Sequence, residues 1–346
     1  NFLLEKNLTF DKVKFSAEAR LKNVHVSKVA LDQDLTSADL ILNVDNNSMR
    51  VKGSGLIGDV RTDIEWHENF TKNNPYRRKY IIRSVINEKS WREKLKLNFP
   101  PFDKTYSSGT IGIDAMVLVN DDGAGQLKAE LNLKDTLITL PRMGWYKPEK
   151  VPAVASILVE FYNDKFISIP EIIYKGGGLT LEAKASFESN GDFNQVIINR
   201  LQFGQTDVQA IIAPRSKEQN KGWNIHVSGK QLNLIDWLDS DDMDLQKEKS
   251  ESVTLSLNLD AVQLYPNKKL LDVNGVIGFD GWVWNQIKLT SGLGESKNLD
   301  ISLVPKNGKR YLYVSSKDAG LILKIFDYYD NLIGGKLSLR GEYDGM

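Results

Sequence analysis

Apolar and polar residues alternate with a period of two along most of the chain. In "LKAELNLK", Leu127, Ala129 and Leu131 share one face of an extended chain, whereas Lys128 and Glu130 share the other. Successive side chains of a β-strand point to opposite faces, so this pattern predicts strands with one apolar and one polar face.

The region from 111 to 133 predicts a β-hairpin. "IGIDAMVLV" and "LKAELNLK" both alternate, and "NDDGAG" at 120–125 between them supplies residues that tolerate the positive φ of a tight turn. Turn sequences such as "DNNS", "ESNGD", "YPNKK" and "PKNGK" recur at the spacing typical of antiparallel folds. The spacing predicts an all-β, antiparallel meander of about twenty or more strands.

Helical patterns are few. "NEKSWREKLKL" at 87–97 predicts a short amphipathic helix whose apolar side carries Trp91 and Leu95. A helical turn is predicted within 233–240.

A third short helix is predicted over 318–330, where Asp318 is suited to accept the free N–H groups of the first turn. Gly334 and Gly335 end this segment, and "KLSLRGEY" restarts the alternation. The apolar stripe of this helix consists of Leu321, Ile322, Ile325, Phe326 and Tyr329.

The predicted organisation is a repeated β region at 1–240, a charged loop or linker at 241–252 and a C-terminal β unit at 253–346. "DSDDMD" at 239–244 resembles the start of a calcium loop but lacks the glycine and glutamate that such a loop needs, which favours a solvated loop. The chain starts without methionine and inside a strand-like pattern, so we expect a piece of a longer protein that is truncated within the meander.

Composition excludes several functions. The chain has 45 basic and 45 acidic residues, a balance that argues against nucleic-acid binding. "YRRKYIIR" at 76–83 is interpreted as a solvated strand face. No cysteine is present, which excludes disulfides and thiolate chemistry. No apolar run is long enough to cross a bilayer as a helix.

Several short motifs resemble functional sites, but the flanking elements or residue spacings that those sites require are absent from the sequence. "GSGLIG" at 53–58 fits the dinucleotide pattern, but an alternating strand follows it rather than a helix, so its glycines are interpreted as turn or bulge positions. The three histidines have no zinc spacing, and no paired-acid signature stands out. We therefore predict no catalytic residue, no metal site and no cofactor.

The alternation leaves an apolar sheet surface that a second sheet, helices or an apolar ligand must cover. Helices are too scarce for this task. The pattern alone does not decide between a closed sandwich core and a lipid.

A short helix followed by a Gly-Gly pair and an alternating strand forms a distinctive C-terminal pattern, carried by Asp318, Gly320, Leu323, Asn331, Ile333, Gly334, Gly335, Leu337, Leu339 and Gly341. With this pattern the segment resembles the AsmA-like envelope proteins of Gram-negative bacteria, a family of bridge-like lipid-transfer proteins. The segments 40–70, 140–161 and 201–214 also resemble the core region of that family.

The resemblance implies a long twisted antiparallel sheet curled into a U-shaped hydrophobic groove. It further implies a periplasmic, inner-membrane-anchored protein whose partners are phospholipid or another acyl lipid and components of both membranes. No residue would be catalytic. The predicted groove-lining residues are Leu40, Leu42, Val44, Val51, Ile111, Ile113, Val117, Leu127, Leu131, Leu133, Leu179, Leu181, Ala183, Phe187, Leu255, Leu257, Leu337 and Leu339.

Two other hypotheses remain open at this stage. The first is a structural or adhesive envelope β-protein with a closed sandwich core. The second, a carbohydrate-active enzyme on a β scaffold, would use the tryptophans as sugar platforms and a pair of carboxylates. Lipid that is purified with the protein would favour the conduit.

Overall fold

The computed structural model describes residues 13–30, 33–98, 101–163, 165–215, 221–238, 251–293 and 298–343. The fold is predominantly β, with 69% strand and 6% helix, and its strand pairs are mostly antiparallel. The chain forms two compact units: unit 1 comprises 1–139 and 146–177, and unit 2 comprises 140–145 and 178–346. The predicted linker at 241–252 falls mainly on residues outside the described ranges.

Unit 1 is built on a ladder of nine long strands, in which β1 to β7 pair in chain order, β7 pairs with β10, and β10 pairs with β11. Short strands β8 (Thr136–Leu140) and β9 (Trp145–Lys147) lie in the connection between β7 and β10. The long strands are β1 (Ser16–Ala30), β2 (Gln33–Asp45), β3 (Ser48–Ile57), β4 (Val60–Asn69), β5 (Arg78–Asn87), β6 (Ser107–Val119), β7 (Ala124–Asn132), β10 (Ala153–Tyr162) and β11 (Lys165–Gly176).

Unit 2 contains ten strands that pair in chain order. They are β12 (Leu179–Phe187), β13 (Phe193–Phe203), β14 (Thr206–Pro214), β15 (Gly222–Asn233), β16 (Ser252–Tyr265), β17 (Lys268–Phe279), β18 (Trp284–Gly292), β19 (Asn298–Lys306), β20 (Lys309–Ser316) and β21 (Leu337–Tyr343).

The predicted hairpin at 111–133 is confirmed. Strands β6 and β7 pair antiparallel with Ile113 opposite Leu131. In the turn, Gly123 has a φ of 88°, and Asn120 N–H donates to the carbonyl of Ala124 at 2.8 Å. The prediction of twenty or more strands is also confirmed, since the described residues form 21.

One strand pair departs from the predicted antiparallel meander. Strands β15 and β16 run parallel, with Ile225 opposite Leu255. A parallel pair requires a connection that carries the chain back to the other end of the sheet. The segment 234–251, of which 239–250 lies outside the described residues, makes that connection.

The predicted helices are present but short. The segment after β5 forms a π-helical turn, Ser90–Lys94, and the predicted turn within 233–240 is α1 (Ile235–Leu238). Helix α2 (Ala319–Ile325) is shorter than the predicted 318–330. It ends where Asp327 adopts a φ of 61° and Tyr328 N–H donates to the carbonyl of Leu323 at 2.9 Å.

Candidate functional site

The apolar face of unit 1 is a set of continuous cross-strand rows. Residues opposite each other in a ladder project from the same face of the sheet, so the register identifies each row. One row crosses nine strands without a polar side chain, over about 38 Å at the usual strand spacing. This row, here the aliphatic row, consists of Leu21, Leu40, Gly53, Ile64, Ile82, Ala115, Ala129, Ile157 and Ile172.

The next row contains an aromatic pair. The rings of Trp66 and Tyr80 stack with centroids 5.8 Å apart and an interplanar angle of 25°. Most members of this row are half-buried rather than fully buried. The row, here the aromatic row, consists of Ala19, Leu42, Val51, Trp66, Tyr80, Val117, Leu127 and Val159.

On the other side of the aliphatic row, two hydroxyl groups of the apolar face are bound to backbone. Thr62 Oγ1–H donates to the carbonyl of Val60 at 3.1 Å, and Ser84 Oγ–H donates to that of Arg61 at 3.0 Å. These donors are therefore satisfied locally, and the face stays apolar. Burial raises the pKa of Tyr174, which shares this face, to about 12, and burial also raises the pKa of Tyr80.

One strand end of this face is covered by the segment that contains the π-helical turn. Trp91 is fully buried in a cluster with Ile86, Ile111 and Leu133, and its indole N–H donates to the carbonyl of Phe102 at 3.0 Å. The predicted role of Trp91 on the apolar side of this segment is confirmed.

The opposite strand end carries charge. Glu68 lies directly opposite Arg78, one step along the strands from Trp66 and Tyr80, on the same face. Arg77 and Arg78 both approach Glu68, at 3.4 and 3.5 Å. The face thus changes from aliphatic to aromatic to charged along β4 and β5.

The other face of unit 1 is polar. Lys52, Glu65, Arg83 and Asp114 form a chain of ion pairs across β3–β6, with distances of 3.0, 3.5 and 3.1 Å. The hydrogen bond from Lys52 lowers the pKa of Glu65. A concavity of about 1150 Å³ is lined mainly by residues of this face. Its charged residues Arg83 and Asp114 pair with each other, so we assign no ligand to it.

In unit 2, two adjacent rows cross all ten strands without a polar side chain, over about 43 Å. The first consists of Ala183, Ile198, Ala210, Val227, Leu257, Gly275, Leu289, Ile301, Val314 and Leu339. The second consists of Ala185, Val196, Ile212, Ile225, Leu255, Ile277, Ile287, Leu303, Leu312 and Gly341.

A helix again covers one strand end of the apolar face. Ile322 and Ile325 of α2 are buried in a cluster with Leu259, Val273 and Leu299. The predicted stripe is confirmed for these two isoleucines and for Leu321 and Phe326, which are half-buried against the same cluster, and it is wrong for Tyr329, which is 53% exposed.

The other strand end of unit 2 is aromatic. Phe193 lies 6.1 Å from Phe187 and 5.9 Å from Trp223, and Phe279 lies 5.2 Å from Trp284, measured between ring centroids. In each unit, then, a helical segment covers one end of the apolar face, and aromatic side chains lie towards the other end, where in unit 1 the charged pair of Glu68 and Arg78 follows them.

The structure places every predicted groove-lining residue on the apolar face of its own unit. Those that are buried are Leu40, Ile111, Leu133, Leu179 and Ala183. Those that are half-buried are Leu42, Val44, Val51, Ile113, Val117, Leu127, Leu131, Leu181, Phe187, Leu255, Leu257 and Leu337, and Leu339 is exposed. The role of these residues in lining a groove stays a prediction.

Two sequence motifs have structural roles. "GSGLIG" lies in β3 and the turn after it, as expected: a side chain at Gly53 would stand 2.0 Å from the carbonyl oxygen of Asp39, and Gly58 has a φ of 59°. In "YRRKYIIR", Arg78 and Arg83 are solvent-exposed, as predicted, but they do not share one face: Arg78 lies on the apolar face and Arg83 on the polar face. Because Ile81 and Ile82 are adjacent and both apolar, the sequence does not show which residues of this strand belong to the apolar face.

No metal-binding group of His, Asp or Glu side chains occurs in the described ranges, and "DSDDMD" lies outside them. The described helices are all too short to cross a bilayer. Comparisons with models of protein families, with curated proteins and with solved structures give no significant match.

Proposed function

We propose that this chain is part of a non-enzymatic lipid conduit, in which a hydrophobic groove shields the acyl chains of phospholipid on their way between the inner and outer membranes. The observation that carries this proposal is the continuity of the apolar rows across every long strand of each unit. In its native setting the protein would be periplasmic and, in full length, anchored to the inner membrane, as the resemblance to AsmA-like proteins implies.

An acyl chain that crosses an aqueous space needs an apolar surface to cover it. Exposing a 16-carbon chain to water costs on the order of 10 kcal/mol at about 0.8 kcal/mol per methylene. An apolar row removes this cost at each position along its length. Contacts with Leu, Ile, Val and Ala are non-directional, so a chain can move along the row without breaking hydrogen bonds.

The half-buried state of Leu42, Trp66, Tyr80 and Leu127 supports the proposal. Side chains in a closed sandwich core are mostly fully buried and interdigitate with a second layer. We also propose that the sheet curls into a U-shaped groove. The competing function is a structural or adhesive β-protein with a lipid-free core.

The experiment compares two neighbouring residues on opposite faces of β2. Leu42 is half-buried on the apolar face, and Ile41 is 44% exposed on the polar face. The purified protein would be analysed by native mass spectrometry and lipid extraction. We expect phospholipid to be bound to the wild type and to Ile41→Asp and to be lost from Leu42→Asp. A folded wild type without lipid would favour the competing function, and Leu42→Asp with full lipid would contradict the face assignment.

A further inference from the structure

The proposed function leaves open which part of the lipid the chain recognises, and the charged end of the apolar face in unit 1 answers this. We propose that Arg77 and Arg78 bind the phosphate group of a phospholipid whose acyl chains lie on the aliphatic and aromatic rows. This inference rests on the proposed function and adds the group of the phospholipid that the chain recognises, the phosphate, which a neutral diacyl lipid lacks.

The side chains of the apolar face change in character along β4 and β5. Ile64 and Ile82 are followed by Trp66 and Tyr80, and these by the pair of Glu68 and Arg78, each step being about 7 Å along the strands. A phospholipid has the same order of hydrocarbon, interfacial ester groups and charged head group. Trp and Tyr favour the boundary between hydrocarbon and water, so the aromatic pair suits the middle position.

The two guanidinium groups are only loosely held by the carboxylates beside them. Each carries five N–H donors, and contacts to Glu68 use two in Arg77 and one in Arg78, all directed at the same Oε1 atom at 3.4–3.5 Å. A second acid, Asp121, lies 3.9 Å from Arg77. None of these contacts is a short, bidentate pair, which is the arrangement that holds a guanidinium most strongly.

Both guanidinium groups are accessible from solvent. The Arg77 and Arg78 side chains are 33% and 48% exposed, whereas Glu68 is only 14% exposed. Glu68 and Asp121 lie against the two arginines, so this end of the face carries two cations and two anions. The exposed arginine forks match the geometry of a phosphate.

One further donor lies beside this site. Trp66 Nε1–H is buried and has no hydrogen-bond partner within the described part of the chain. Buried donors are nearly always paired in native proteins. An ester carbonyl of a lipid at this boundary would supply the acceptor.

The test uses two lipids with identical chains, dioleoyl phosphatidylglycerol and dioleoylglycerol, presented in separate binding assays to the whole chain. We expect the wild type to prefer the phosphate-bearing lipid by about tenfold or more, since a charged hydrogen bond contributes that much. The double variant Arg77→Gln/Arg78→Gln should lose this preference and bind dioleoylglycerol as before. The matched control is Arg83→Gln on the polar face, which should keep the preference.

A second variant keeps the test decisive if the double variant does not fold. Glu68→Gln removes the competing carboxylate and retains both arginines, so we expect a stronger preference for the phosphate-bearing lipid. An equal affinity of the wild type for both lipids, an unchanged preference in the double variant, or equally tight binding of inorganic phosphate would overturn the inference while the conduit stands. If neither lipid binds the wild type, the proposed function fails as well.

Discussion

The Asp318 carboxylate accepts a hydrogen bond from the backbone N–H of Leu321 at 3.0 Å and so caps the first turn of α2. This relationship was predicted from the sequence, and it fixes the helix that covers one end of the apolar face in unit 2. Asp318 itself is buried, and its backbone N–H donates to Ser316 Oγ at 3.1 Å.

The first prediction concerns this cap. Asp318→Ala should lower the free energy of unfolding by about 1 kcal/mol, because the N–H of Leu321 loses its acceptor. Asp318→Asn, which can still accept this hydrogen bond, is the matched control and should cost less. Urea unfolding followed by circular dichroism measures both changes, and an alanine variant as stable as the wild type would show that the cap contributes nothing.

The second prediction concerns the segment with the π-helical turn, which covers one end of the apolar face in unit 1. Trp91 is completely buried, so Trp91→Ala should lower the free energy of unfolding by about 3–5 kcal/mol through loss of packing and the cavity it leaves. Trp282, which is 55% exposed, provides the control, and Trp282→Ala should change stability little. Denaturant unfolding of the two variants tests the assignment, which fails if their stabilities are equal.

The third prediction concerns a buried cation. Lys147 has no exposed surface, and its ammonium donates to the carbonyls of Lys134, Pro148 and Val151 at 3.4, 3.0 and 3.2 Å. Lys147→Met should lower the free energy of unfolding by about 1–3 kcal/mol, because these carbonyls lose their donor. Lys150→Met, at an exposed lysine paired with Asp135, is the control and should have little effect. Equal unfolding midpoints for both variants would refute this role.

The fourth prediction concerns pH and Tyr174. Burial raises the pKa of its phenol to about 12 from 10.0, so the folded chain keeps a proton that the unfolded chain releases. The stability associated with this group is complete below pH 10 and declines as the pH rises towards 12. The wild type should therefore lose stability relative to Tyr174→Phe across this interval. If the free energies of unfolding of the two proteins changed equally over this pH range, the raised pKa of Tyr174 would be contradicted.

Short-range patterns were sufficient to predict the strands, the turns and the two faces, because alternation and turn residues act within a few positions. The phase of β5 was not predictable, since Ile81 and Ile82 are adjacent and both apolar. As a result, the placement of Arg78 opposite Glu68 emerged only from the register with β4.

Two other features depend on contacts that are distant in sequence. The parallel pairing of β15 with β16 depends on where the chain returns after a long connection, and alternation carries no information about this direction. The burial of Lys147 depends on carbonyls of two loop segments, 134 and 148–151, that converge only in the folded unit. The sequence "YKPEK" is otherwise typical of an exposed turn.

The most direct test of the conduit is photo-cross-linking in cells from two adjacent positions of β7. Leu127 lies on the apolar face, and Lys128 lies on the polar face. A photoreactive phenylalanine analogue at each position, followed by mass spectrometry of the irradiated protein, reports what touches each face. We expect phospholipid adducts through their acyl chains from position 127 and none from position 128. Adducts only to protein from position 127, with no lipid attached, would contradict the account.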